Sequence, residues 1–209
     1  GNRTSGSTTY NVVSDYVPLG ANWFTVDSTN GLAVGDEINI KRPSNGTWMA
    51  ALYPPDGKDS WVGAVDINMI RRIVAIEDQR VMFDGPLVQS LDKIHGYGGG
   101  SFNKVTYSGT QNSGIEYLRV DRGNSTPDTN GNTGGVMMDF GGVENCWARH
   151  LYNDRMNGHT MDVGGARYIT VEDVTSFHLP LVYRESSATV QNFTFSYGGQ
   201  GILFHRCVT

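Results

Sequence analysis

The chain is poor in charge, in cysteine and in long apolar runs, and each shortage excludes something. Charged residues make up 18% of the 209 positions, and the formal net charge is −5. No Lys/Arg cluster interrupts this, so nucleic acid and an anionic membrane are not expected partners. No apolar stretch approaches the roughly 20 residues of a spanning helix, so membrane insertion is not expected either. Heptad patterning is absent. No signal-peptide pattern is visible and residue 1 is Gly rather than Met, as expected of a processed or trimmed chain. The two cysteines, Cys146 and Cys207, each sit in a strand-like run and read as reduced core residues rather than a redox or metal pair.

What is abundant is glycine, 27 residues of it, with Asn, Ser and Thr between short Val/Ile/Phe/Tyr runs. That mixture predicts an all-β protein. Residues 1–15 are polar and read as an extended arm. Residues 23–42 read as a hairpin turning at Asn30-Gly31. Ile70 to Ile76 and Arg80 to Phe83 read as a second pair, turning at Glu77-Asp78-Gln79. Between the pairs lies a long loop, Pro43 to Gly63, carrying Trp48, Tyr53 and Trp61. A loop of that length is usually functional or mobile. His95 to Gly100 reads as a flexible Gly-rich connection, not a phosphate loop, because no Gly-Lys-Ser/Thr follows. Residues 16–107 thus form an N-terminal β segment that leads into a first coil.

From residue 108 on, short strands recur. One set is centred on Leu118, Cys146, Ile169 and Cys207, at steps of 28, 23 and 38. A second set interleaves with it: Val136 to Phe140, Thr160 to Val163, and Asn192 to Phe195. Met138-Asp139-Phe140-Gly141-Gly142 returns 23 residues later as Met161-Asp162-Val163-Gly164-Gly165. A basal step with two enlarged ones predicts the coils of a parallel β-helix, a solenoid, carrying loops. Stacked strands lie about 4.8 Å apart and side chains alternate in and out. Asp162 is then expected outward above Asp139, between inward Met and Phe or Val neighbours, with each Gly-Gly making a corner. A β-sandwich with two similar strands is the competing reading, and interleaved strand sets sharing a period favour the solenoid.

Several stretches carry a resemblance: Phe24-Thr25-Val26-Asp27-Ser28, Gly35-Asp36-Glu37-Ile38, Asp66-Ile67-Asn68, Arg72-Ile73-Val74-Ala75-Ile76, and Asp84-Gly85-Pro86-Leu87. Gly114 to Val120, Tyr168 to Asp173, and Gly199-Gln200 with Leu203 to Cys207 continue it. Across residues 16–209 the chain resembles the pectin lyase-like right-handed β-helix superfamily. More narrowly, it is similar to pectate lyase superfamily proteins of unsettled activity. The resemblance implies a right-handed solenoid, and more coils after the Phe-x-x-Cys run, so residues 108–209 are expected to be part of a longer chain. It also implies acidic polysaccharide as substrate, met on the outer face of one sheet. Pectate lyases of this superfamily hold calcium with Asp side chains and use a basic residue as the base. Its hydrolases use three Asp and a Gly-His-Gly. Asn157-Gly158-His159-Thr160 matches the last element only in part, and Val136-Met137-Met138 stands where paired Asp would be needed.

Candidate chemistry therefore concentrates at a few residues. Asp139 and Asp162, two stacked carboxylates, would raise a pKa or hold a cation, with calcium the expected ion. Arg155 and His159, with Asp154, form a corner cluster that could neutralise a carboxylate and move a proton. Trp147 beside Arg119 reads as a sugar platform or a cation–π pair, and Trp48 with Trp61 as a second platform. Solvated carboxylates, a polar corner and a loop's own small core are the structural alternatives. Four Asn-x-Ser/Thr sequons, at Asn2, Asn45, Asn124 and Asn192, give weak support for a glycosylated, secreted chain. Two functions stay open: an extracellular carbohydrate-active protein, a lyase on uronate polysaccharide foremost, or a non-catalytic structural or adhesive β-helix. The expected partners are a polysaccharide or glycan, and the remainder of the chain or stacked copies.

Overall fold

A computed structural model describes residues 3–52, 66–121, 137–154, 160–177, 193–196 and 199–208. These fall into two compact units, Arg3–Tyr107 and the residues from Ser108 onward. The chain is mostly β in both.

The first unit contains β1 (Arg3–Asn11), β2 (Tyr16–Val17), β3 (Trp23–Thr25), β4 (Glu37–Arg42), α1 (Gly46–Leu52), β5 (Ile67–Glu77), β6 (Arg80–Phe83), β7 (Leu91–Asp92) and β8 (Ser101–Tyr107). Six of the strands form one sheet in the order β1-β8-β4-β5-β6-β3, and β2 pairs with β7. β4 shows why: in Glu37-Ile38-Asn39-Ile40-Lys41-Arg42 every second side chain is buried, the period-2 signature of a strand with one face on a core. Ile38 and Ile40 meet Phe24, Phe83 and Phe102 there. The stretch read as an arm is the edge strand β1, antiparallel to β8. The second predicted pair is present, Ile76 opposite Val81, with Asp78 in the turn at φ 52°.

Three expectations in this unit are corrected. Residues 23–42 are not a hairpin: β3 pairs with β6, whereas β4 lies between β5 and β8. Both edges of β4 are already taken, and the connection from Thr25 to Glu37 is too long for a tight turn. The predicted loop from Pro43 opens with α1, because Asn45 caps it: its Oδ1 accepts from the Trp48 N–H at 2.9 Å. The Gly-rich run is packed rather than loose. A Cβ on Gly99 would lie 2.6 Å from Lys93 and one on Gly100 2.7 Å from Leu91.

The second unit contains β9 (Gly114–Glu116), β10 (Arg119–Asp121), β11 (Met138–Asp139), β12 (Glu144–Asp154), β13 (Met161–Gly164), β14 (Arg167–Phe177), β15 (Phe193–Ser196) and β16 (Gln200–His205). One parallel sheet runs β10-β12-β14-β16, with β9 also on β12, and a second runs β11-β13-β15. Successive windings therefore stack in parallel on two sheets whose inward side chains share one core. Met138 pairs with Met161 and Asp139 with Asp162, as the repeat predicts. Gly142 and Gly165 both adopt positive φ, 66° and 63°, at the same corner, which a side chain would strain.

The register differs from the one the strand centres suggest. Gly114 pairs with Trp147, Cys146 with Ile169, and Ile169 with Ile202, so the steps are 33, 23 and 33. Two columns of left-handed residues explain the error. One is Asn112, Asn145, Tyr168 and Gly201; the other is Tyr117, His150, Asp173 and Arg206. Within every winding the two bends are five residues apart. The second bend breaks the alternation: Arg149 and His150 both face outward, while Ala148 and Leu151 on either side are buried. Cys207 accordingly aligns with Val174 and Leu151, not with Cys146.

Among the described residues, the core of this unit is apolar except at two places. Asn153, Thr160 and Ser176 are buried, and the Asn153 amide donates to Thr160 Oγ1 at 2.8 Å and to Ser176 Oγ at 3.1 Å. Glu144 and Arg167, also buried, are register partners of opposite charge on neighbouring windings.

Asn153→Ala should destabilise the chain by about 1–3 kcal/mol, because it removes the donor shared by two buried hydroxyls and leaves them only each other as partner; an unchanged urea midpoint would contradict the role given to that amide. Both cysteines are free, and burial pushes the Cys207 thiol pKa up. Unfolding without reductant should therefore expose two alkylatable thiols, against none for a bridged pair.

Candidate functional site: the outer face of the larger parallel sheet

The outward residues of β9 to β16 form columns, because each winding repeats its in/out pattern over the one below. One column is Glu116, Arg149, Glu172 and His205; the next is Tyr117, His150, Asp173 and Arg206. Arg149 lies between two carboxylates, with Nη1 3.7 Å from Glu116 Oε1 and Nε 3.4 Å from Glu172 Oε2. Arg206 donates to both oxygens of Asp173, at 2.6 and 2.7 Å, and to Glu172 Oε1 at 2.8 Å. His205 Nδ1 lies 3.3 Å from Glu172 Oε1, and His150 Nδ1 3.4 Å from Asp173 Oδ2. The Tyr117 ring stacks on the His150 ring at 4.8 Å.

This ladder shifts the pKa values of Glu172, Asp173 and Arg206. The contact from His205, foremost, with help from Arg206, holds the Glu172 carboxyl below its usual range. Asp173 is held low chiefly by the hydrogen bond from Arg206, and Arg206 in turn is pushed up by Asp173.

An aromatic floor lies beside the ladder. The Trp147 indole is flat against the neighbouring winding: a Cβ added at Gly114 would fall 2.3 Å from Cε2. Its Nε1–H donates to Glu116 Oε1 at 2.7 Å, which fixes the ring in its plane. Arg149 approaches the ring centroid to 5.7 Å.

The sequence-predicted residues scatter across the molecule. Asp139 and Asp162 do stack in register, with buried neighbours on both sides. They occupy the smaller sheet, so they and Trp147 stand on outer faces of different sheets. The next rung above Asp162 is Thr194, and the described residues contain no group of three or more His, Cys, Asp or Glu suited to a metal. Calcium takes six to eight oxygens, so the pair supplies part of such a shell. Arg119 is not beside Trp147. It pairs with Asp154, Nη2 to Oδ2 at 3.0 Å, and lies over the Tyr152 ring at 4.8 Å, because its register partner is Tyr152. Trp48 belongs to the other unit, and the buried Arg42 guanidinium covers its ring at 3.8 Å. Asn45 has its amide committed, donating to the Gly96 carbonyl at 2.8 Å. Arg155, His159, Tyr53, Trp61 and the sequons at Asn2, Asn124 and Asn192 lie outside the described residues.

The sequence reading passed over Glu116, Arg149, His150, Glu172, Asp173, His205 and Arg206. The missed signal was the paired apolar positions three apart, Ile115/Leu118, Ala148/Leu151 and Val171/Val174, which mark a bend with two adjacent outward residues.

No family model and no curated protein sequence match the chain. Among solved structures it is similar to the tailspike of Pseudomonas phage phi297, with TM-score 0.46 and 13% identity, covering 84% of this chain and 29% of that one. It is also similar to the tailspike of Acinetobacter baumannii bacteriophage AP22, solved with A. baumannii capsular saccharide. There the TM-score is 0.39, the identity 11%, and the coverage 99% of this chain and 38% of the tailspike. The tailspike of Pseudomonas phage LKA1 gives TM-score 0.37 and 10% identity over 95% of this chain and 34% of that one. The chain thus spans about a third of the length of the tailspikes it matches.

Glu172 and Asp173 have folded pKa values below their unfolded ones, near 4. Their contribution to stability is full above that value and is lost as pH falls through the folded pKa. Between about pH 5 and pH 2, Glu172→Gln with Asp173→Asn should lose less stability than the parent chain. Parallel denaturant midpoints for the two proteins would contradict this.

Proposed function

We propose that the chain is a segment of an extracellular right-handed parallel β-helix protein that binds polysaccharide along the outer face of its β10-β12-β14-β16 sheet. One observation supports this above the rest: the Trp147 indole lies flat on Gly114, within a surface of half-exposed carboxylates, guanidinium groups and imidazoles. A pyranose ring stacks its C–H face on such an indole while its hydroxyls meet polar groups at the rim. The stacked windings set further outward charged and polar side chains in line beside it, which suits an extended polymer.

A uronate polymer would instead be met at the smaller β11-β13-β15 sheet, which carries the stacked aspartates, and there the favoured reaction is elimination. Hydrolysis needs a carboxylic acid that keeps its proton until the leaving oxygen takes it. Glu172 and Asp173 are held ionised instead. In elimination a base removes the proton next to the uronate carboxyl group, and the glycosidic oxygen leaves with the bonding pair. Calcium is part of this proposal. Asp139 and Asp162 would hold it, a uronate carboxylate would complete its oxygen shell, and the bound ion would supply positive charge that acidifies the proton to be removed.

A non-catalytic structural or adhesive role is the second reading. It is supported by the internal pairing of the same face, in which Arg206 forks onto Asp173 and Arg119 donates to Asp154.

The two separate in one experiment. The chain is incubated with a panel of neutral and uronate polysaccharides, with and without calcium, while tryptophan fluorescence and the ultraviolet absorbance of an unsaturated uronate are followed. Binding without absorbance keeps polysaccharide binding and removes the elimination. Calcium-dependent absorbance lost in Asp139→Asn with Asp162→Asn supports the elimination, and a panel that shows neither signal leaves the structural role as the better reading.

A further inference from the structure

On the polysaccharide-binding reading, we propose that the Trp147 face is a subsite for uncharged sugar rings that turns away carboxylate-bearing glycans near neutral pH. Three observations lead there.

The first is the seat. Gly114 has ordinary backbone geometry, since it is not among the positive-φ glycines. Its lack of a side chain is therefore needed only because the indole occupies that space. The ring is held from below by Gly114 and at its edge by Glu116, so it meets a ligand as a rigid plane and loses little freedom on binding.

The second is charge. Among the described residues, the outward positions of β9, β10, β12 and β14 and those at the end of β16 carry Glu116, Asp121, Asp154, Glu172 and Asp173 against Arg119, Arg149 and Arg206. The carboxylates are in excess. Every guanidinium among them already faces one: Arg119 meets Asp154, Arg149 meets Glu116 and Glu172, and Arg206 meets Asp173 and Glu172. A ligand carboxylate would have to displace one of these and would enter a field of its own sign. Sugar hydroxyls face no such conflict, because they donate to carboxylates.

The third is the placement of two histidines. His150 is met by Tyr117 from β9 and by Asp173 from β14, beside Arg149 on its own strand. His205 is met by Glu172 from β14, with Arg206 next to it. Imidazole is the side chain that gains charge between about pH 8 and 5. Two protonations cancel the excess of carboxylates, so discrimination against acidic glycans weakens in acid.

The test uses the whole chain with chelator present, so that the stacked aspartates of the other sheet play no part. Polygalacturonate, polymannuronate and hyaluronan are each titrated beside their carboxyl-reduced forms, at pH 7.5 and pH 5. The reduced forms should bind at least about fivefold more tightly at pH 7.5, and the gap should narrow at pH 5. Gly114→Ala and Trp147→Ala should each weaken binding of the reduced forms by about tenfold, with the thermal unfolding curve checking the fold. Glu172→Gln with Asp173→Asn should narrow the gap at pH 7.5 by raising affinity for the uronate forms. Uronate forms that bind as tightly as reduced ones at pH 7.5 overturn the charge selection and leave polysaccharide binding standing. Binding indifferent to both Gly114→Ala and Trp147→Ala overturns the subsite alone. No binding by any polymer overturns this proposal together with the reading it rests on.

Discussion

Backbone hydrogen bonding between windings is the constraint from which the second unit follows. Once β12 lies parallel on β14, each residue must sit over its counterpart about 4.8 Å away. A side chain that is buried in one winding obliges the next winding to bury one at the same place. Ala148, Val171 and Phe204 obey this, as do Leu151 and Val174. Outward residues inherit the same order without being chosen for it. That is how Glu116, Arg149 and Glu172 come to form a line of alternating sign, although they lie far apart in the chain.

The sequence revealed the coils but not their alignment, and the size of the error shows why. The Met-Asp-apolar-Gly-Gly repeat gave the correct 23-residue step because both copies lie between the same corner and the same core contacts. The steps of 28 and 38 each miss 33 by five. Five is the distance between the two left-handed bends of a winding, so Leu118 and Cys207 were matched across a bend to the wrong half of the strand. Asn and Gly favour left-handed backbone and could have marked Asn112, Asn145 and Gly201. His is enriched there too and could have marked His150, whereas Tyr117, Tyr168 and Arg206 give no such hint, since these types seldom adopt that geometry. In the first unit the failure was of pairing rather than of existence: β3 and β4 are both strands, but long-range partners claimed their edges.

Functional residues were harder to read for a related reason. Trp147 was singled out because an outward indole is conspicuous in any sequence, whereas Glu172-Asp173 and His205-Arg206 look like ordinary solvated charges. Their significance lies in being adjacent and outward together, which requires the bend. Arg119 was assigned to the wrong aromatic by the same five-residue slip: it meets Tyr152, five residues beyond Trp147. The stacked aspartates were legible because their whole environment repeats. The face they lie on is nonetheless separate from the aromatic one, and only the sorting of strands into two sheets reveals that.

The two bends also make the stretch between them an exchangeable part. Asn145 to His150 and Tyr168 to Asp173 have equal lengths, the same backbone turns at both ends, and inward positions that coincide. Their outward positions differ, with Trp147 and Arg149 in one and Thr170 and Glu172 in the other. Such a hexapeptide behaves like a tile. Its edges must match the course below, while its glazed side is open to variation, so diversity can gather on the surface of these stacked sheets without disturbing the masonry.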